Sequence, residues 1–161
     1  MDFQAVYRKD LADIFGKAND IGSINIGVLG TYLIGLDNQT DPNDISTFDD
    51  SAGEVGVPEI RFSLNTSYNY KQFTFTHSLD LQSRQDVFQD NIDRNSPDIE
   101  EFRTTPIFDQ HDFSVRFEAT DNFALRGGIV NAFDKEPPLF AQNNIFDFFG
   151  RRFFIGATAN F

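Results

Sequence analysis

Ile60-Arg61-Phe62-Ser63-Leu64-Asn65-Thr66-Ser67-Tyr68-Asn69-Tyr70 is the stretch that decides the fold. Ile60, Phe62, Leu64, Thr66, Tyr68 and Tyr70 alternate with Arg61, Ser63, Asn65, Ser67 and Asn69. Successive side chains of a strand point to opposite faces, so this segment reads as a strand with one apolar and one polar side. Beyond Lys71-Gln72 the pattern repeats. Phe73, Phe75, His77, Leu79 and Leu81 alternate with Thr74, Thr76, Ser78, Asp80 and Gln82. Further out, Phe113, Val115, Phe117 and Ala119 form an apolar side, as do Phe123, Leu125, Gly127, Ile129, Asn131 and Phe133. The last such segment carries Phe153, Ile155, Ala157, Ala159 and Phe161.

Across these five segments the apolar side has no Asp, Glu, Lys or Arg. The other side has Arg61, Asp80, Asp112, Arg116, Glu118, Arg126 and Arg152. A soluble sandwich with one wet face would show the same split. The length of the segments points elsewhere. They run about ten to thirteen residues, where globular strands average about 5 to 6 and membrane-spanning strands need about 9 to 11. Two earlier strands are less regular: about Asp2 to Arg8, and Ile24 to Leu36. Leu11 to Lys17 reads as part of a connection with a helical turn.

Connections alternate in length. They are moderate around Asp10 to Asp20, long at Asp37 to Gly56, tight at Lys71-Gln72, long at Gln89 to Thr105, tight at Asp121-Asn122 and long at Lys135 to Gly150. In an up-and-down barrel every second connection shares a rim. Outer-membrane barrels have short periplasmic turns and long extracellular loops. The final strand is then expected to end at the periplasmic rim. Two of the long loops are acidic, one with Asp37, Asp41, Asp44, Asp49, Asp50 and Glu54, the other with Asp90, Asp93, Asp98, Glu100 and Glu101.

Composition narrows the function classes. The chain of 161 residues has 13 Lys plus Arg against 25 Asp plus Glu, for a net charge of -12. Nucleic acid is not expected as a partner, because phosphate binding needs a basic surface. With no cysteine there is neither a disulfide framework nor a thiolate metal site. Twenty phenylalanines without a tryptophan are unusual for a soluble domain. No apolar run reaches the length of a membrane helix, which leaves a barrel open because its strands alternate. Met1-Asp2-Phe3-Gln4 lacks the basic start and apolar core of a signal peptide.

Three stretches resemble the C-terminal third of TonB-dependent outer-membrane receptors. Asn131-Ala132-Phe133-Asp134-Lys135-Glu136-Pro137-Pro138, preceded by Asn122 to Ile129, is similar to the family's run at the top of the penultimate strand. Gly150 to Phe161 looks like its closing strand. Gly30-Thr31-Tyr32-Leu33-Ile34, after Asp2 to Arg8, looks like an upstream hairpin. Gly156, Ala159 and Phe161 fit the family's terminal signal for the outer-membrane assembly machinery; Phe154 departs from it at a polar position. The resemblance implies the C-terminal part of a receptor barrel over residues 1–161, in the outer membrane of a Gram-negative cell and in contact with its lipid. It implies TonB-energised uptake of a scarce small molecule of the siderophore-iron, cobalamin, haem or saccharide class. The family's plug domain, which contacts the TonB complex, is not expected within these residues. About seven strands then make an incomplete antiparallel up-and-down transmembrane β-barrel, not expected to transport alone.

The residues also have plain readings. Asn131 and Asp134 stand where a strand gives way to a loop and suit turn hydrogen bonding. Pro137-Pro138 removes two backbone donors and stops the sheet. The charges on the polar side suit cross-strand pairing of arginines with Asp80, Asp112 and Glu118, or a lumen that guides an anionic ligand or meets a plug. His77 and His111 read as isolated structural histidines, His111 just before a strand. No catalytic residue, cofactor or metal site is expected, and the 37–50 acidic run lacks the calcium-loop spacing. The competing readings are a soluble β-sandwich or lipocalin-like binding module, and a small complete outer-membrane barrel. A sandwich would cover the Phe-rich face. A complete barrel would pair its first strand with its last.

Overall fold

Alternation this long produces strands, and the strands pair with their chain neighbours. The computed structural model describes residues 1–16, 20–87, 103–137 and 149–160. Seven strands form one antiparallel sheet: β1 (Asp2–Asp10), β2 (Ser23–Tyr32), β5 (Ile60–Tyr70), β6 (Phe73–Gln82), β7 (Phe108–Thr120), β8 (Phe123–Val130) and β9 (Arg152–Ala159). Their order in the sheet is their order in the chain. β3 (Asp37–Gln39) and β4 (Phe48–Asp50) make a separate two-stranded sheet. The fold is all-β and antiparallel.

Register keeps like with like. One row across all seven main strands reads Tyr7, Ile26, Thr66, His77, Phe113, Ile129 and Phe153. A neighbouring row on the opposite face reads Arg8, Asn25, Ser67, Thr76, Ser114, Gly128 and Phe154. A one-residue slip would exchange the faces, and one place required a correction. The tight Asp121-Asn122 turn sets polar Thr120 opposite apolar Phe123. A register shift between Glu118 and Thr120 leaves Ala119 as the extra residue, and Glu118 then meets Ala124. A bulge of this kind inserts one residue and restores the match.

Neither face carries a second layer among the described residues. Each main strand packs on its hydrogen-bonded neighbours, and the short helix α1 (Leu11–Phe15) packs against β1, with Leu11 N–H donating to Gly22 O at 2.9 Å. The apolar side chains therefore stay open: Phe75 is 46% exposed, Phe113 41%, Phe153 73% and Ile155 88%. Phe73 and Phe123 are exposed too, and Phe117 is half-buried. The sheet edges are β1 and β9, which do not pair with each other. The sheet is open, and closure into a barrel is not present among the described residues.

Several boundaries differ from the sequence reading: β7 begins at Phe108, ahead of His111, and β8 ends at Val130, so that Asn131 and Phe133 leave the apolar row for a turn. β1 runs two residues past Arg8, to Asp10. β2 stops at Tyr32, short of Leu36; Leu33 N–H still donates to Glu59 O at 2.8 Å, in register with β5, but Leu36 N–H turns to the Asp50 carboxylate at 2.9 Å. The 37–56 connection contains a hairpin, closed over a 3-10 turn at Ile45–Thr47 that Asp44 caps through Ser46 N–H at 2.9 Å. At Gly30 the Phe3 ring of the opposing strand lies where a Cβ would stand, so a larger residue there would have to displace that exposed ring.

Candidate functional site

The polar face of β5 to β9 holds the residues that the sequence singles out for their charge. Strand alternation puts Arg61, Asp80, Arg116, Glu118, Arg126 and Arg152 on this one face, together with Asp112. Cross-strand ion pairing among them, expected from their mixture of signs, is not what most of them do. Asp80 accepts from Ser63 Oγ at 2.5 Å. Asp112 accepts the backbone N–H of Asn131 at 2.8 Å and the Gln110 amide at 3.2 Å. Arg61 donates to Gly56 O at 3.3 Å. Arg116 pairs with Glu118 two residues along its own strand, at 3.3 Å. Arg126 stacks over the Phe154 ring at 4.9 Å, and Arg152 over Phe149 at 5.1 Å. The reason is register: β6 presents only one acid to this face, and β8 presents none.

The turn after β8 is built by Asn131. It adopts a left-handed backbone, φ 51, and is 0% exposed. Its Oδ1 accepts Lys135 N–H at 2.7 Å and its Nδ2 donates to Lys135 O at 2.9 Å. The side chain thus mimics a backbone turn, as expected for Asn at a strand end. Asp134, φ 57, accepts Arg151 N–H at 2.7 Å and so ties the end of β8 to the start of β9. Phe133 is exposed and stands edge-on to His111, ring centres 5.0 Å apart. Pro137 follows half-buried. Pro138 lies outside the described residues, as does Phe161; Gly156 and Ala159 lie in β9, and no side chain comes within 4 Å of the place a Cβ would take at Gly156. The second acidic loop, Asp90 to Glu101, is also outside them.

One constellation was not legible in the sequence. His111 lies inside β7, and its Nδ1 is 2.9 Å from His77 Nε2, so one ring donates to the other. Asp109 Oδ2 is 3.6 Å from His111 Nε2, and Asp109 Oδ1 is 2.9 Å from Lys135 Nζ. The two histidines sit diagonally across β6 and β7 on the apolar face. No grouping of three or more His, Cys, Asp or Glu suited to a metal occurs among the described residues. The signal that would have joined them is the β6–β7 register, and no short turn sets it.

The fold and this surface define a class: an antiparallel β-sheet unit with one apolar and one polar face. Comparison with known proteins finds no matching family model, no matching curated protein and no matching solved structure.

Proposed function

We propose that the chain is a wall segment of an outer-membrane β-barrel, its Phe-rich face against lipid and its polar face toward a ligand-bearing lumen. The observation that carries this reading is the register. Seven consecutive strands put apolar side chains on one face with no layer over them among the described residues. An exposed apolar patch on a soluble monomer rarely exceeds about 300 to 600 Å². A face of Phe, Ile, Leu and Tyr extending over seven strands needs a cover, and lipid supplies one without a second sheet. The strand lengths and the alternation of tight turns with long connections support the same reading.

The narrower proposal is a receptor for TonB-energised uptake of a scarce nutrient. It rests on the likeness of Asn131 to Pro138 and of Gly150 to Phe161 to that family. In it the outer-membrane assembly machinery would read the end of β9, and a plug domain would engage TonB. The second reading is a β-sheet binding module in water. The open sheet, in which β1 and β9 do not pair with each other, favours it, since an open antiparallel sheet is the architecture of a binding module and not of a closed barrel. The experiment is partitioning of the purified chain between buffer and detergent micelles, followed by circular dichroism. β structure only in micelles, with aggregation in buffer, is the expected result. A detergent-free monomer with full β signal would reject the lipid-facing assignment in favour of the binding module.

A further inference from the structure

Arg116 and Arg126 stand directly opposite each other on β7 and β8. Like charges at such a position repel. Glu118 relieves only part of this, through the Nε of Arg116 at 3.3 Å. Arg126 has no carboxylate within ion-pair reach among the described residues; its neighbour is the Phe154 ring. A chain with 25 acidic residues and 13 basic ones does not lack acids to place there. The next row is made of small groups. Thr76 and Ser114 face each other, and Gly128 follows, where the space of a Cβ is taken by the Phe113 carbonyl and by the Phe154 ring at 2.6 Å. Thr76, Ser114, Arg116, Arg126 and Phe154 share the lining of one groove of about 380 Å³. Asp112, the acid in its lining, keeps its negative charge while accepting from Asn131 N–H and the Gln110 amide, so the two arginines leave the lining with one net positive charge.

We propose that this groove binds the oxyanion of a small solute, a carboxylate or a phosphate group, between Arg116 and Arg126. A guanidinium offers a planar fork of donors that fits either anion. Two of them side by side turn their mutual repulsion into attraction for one shared anion. The hydroxyls of Thr76 and Ser114 are placed to meet further oxygens of the ligand, while Phe154 holds the Arg126 plane. The inference deepens the preceding reading, because it needs the polar face to be open to solutes.

The test is titration of the whole chain, in whichever medium gives its full β signal, with citrate and separately with inorganic phosphate. Arg126→Gln should weaken binding by about tenfold or more, and Arg126→Lys by several fold, because the fork is lost while the charge remains. Arg61→Gln, on the same face but away from the groove, should leave affinity unchanged. Preference for citrate supports a carboxylate ligand and preference for phosphate a phosphorylated one. Binding of neither anion would overturn the proposal. Equal binding by Arg126→Gln, or equal weakening by Arg61→Gln, would also overturn it, since the attraction would then be diffuse. Micelle partitioning is read separately, so anion binding with a detergent-free monomer sinks only the lipid assignment, and partitioning without anion binding sinks only the groove.

Discussion

Asn131 carries more of the local structure than its place in a loop suggests. It is fully buried, holds a left-handed backbone, and satisfies both polar groups of Lys135. Asn131→Ala removes both bonds and leaves the part-buried backbone N–H and C=O of Lys135 without them, at a cost of about 1 to 3 kcal/mol. Urea denaturation followed by circular dichroism measures it, and an unchanged midpoint would show that the turn closes without the side chain. Asp44 and Asp50 govern the outer hairpin. Hydrogen bonds from the Ser46 hydroxyl and the Ser46 N–H hold Asp44 below its usual value of 3.8. The Leu36 and Ala52 N–H groups do the same for Asp50. A carboxyl lowered by folding contributes stability above its unfolded pKa and loses it as pH falls through the folded value. The hairpin is therefore expected to loosen as pH drops below 3.8. The amide resonances of Ser46 and Ala52 report this, and Asp44→Asn should remove the step at Ser46 while leaving that at Ala52.

At the scale of the strand, the two faces predict opposite tolerance to charge. Val115 lies on the apolar face between Phe75 and Gly127, near the middle of β7. Ser67 lies on the polar face opposite Asn25 and Thr76. An arginine facing lipid at mid-membrane costs about 2 to 4 kcal/mol, whereas the lumen accepts it. Val115→Arg should lower the yield of folding into lipid vesicles sharply, and Ser67→Arg should leave it near the parent value. Equal yields from both would deny any difference between the faces. The bulge at Ala119 belongs to this scale as well. The apolar pattern runs through Ala119 and resumes at Phe123, which a plain two-residue turn would set against polar Thr120. Alternation on each side of the turn thus already required one extra residue, and Glu118 to Thr120 is where the backbone provides it.

For the whole molecule, an odd number of antiparallel strands leaves β1 and β9 running in the same direction. They could close on each other only as a parallel pair, which bacterial single-chain barrels, with their even strand counts, do not use. Amide exchange in micelles should therefore be slowest in β5, β6 and β7 and fastest in β1 and β9, because central strands have neighbours on both sides. Protection of β1 and β9 as strong as that of β6 would mean that their edges are covered by another strand. The sequence by itself determined what alternation and short turns can encode. These are the seven strands of the main sheet, though not the β3–β4 hairpin inside the 37–56 connection, the separation of faces, and the pairing of β5 with β6 across Lys71-Gln72, since a two-residue connection sets register directly. It also determined the turn role of Asn131 and Asp134, through a side chain that copies backbone hydrogen bonding. Only the tertiary structure decided what depends on register across long connections. The 83–107 segment leaves β6 free to slide along β7, so the meeting of His77 with His111 was not readable. The same holds across 131–151, where pairing of β8 with β9 brings Phe154 over Gly128 and beside Arg126. A long loop specifies no offset, and there the packing of one apolar face, residue against residue, chooses it.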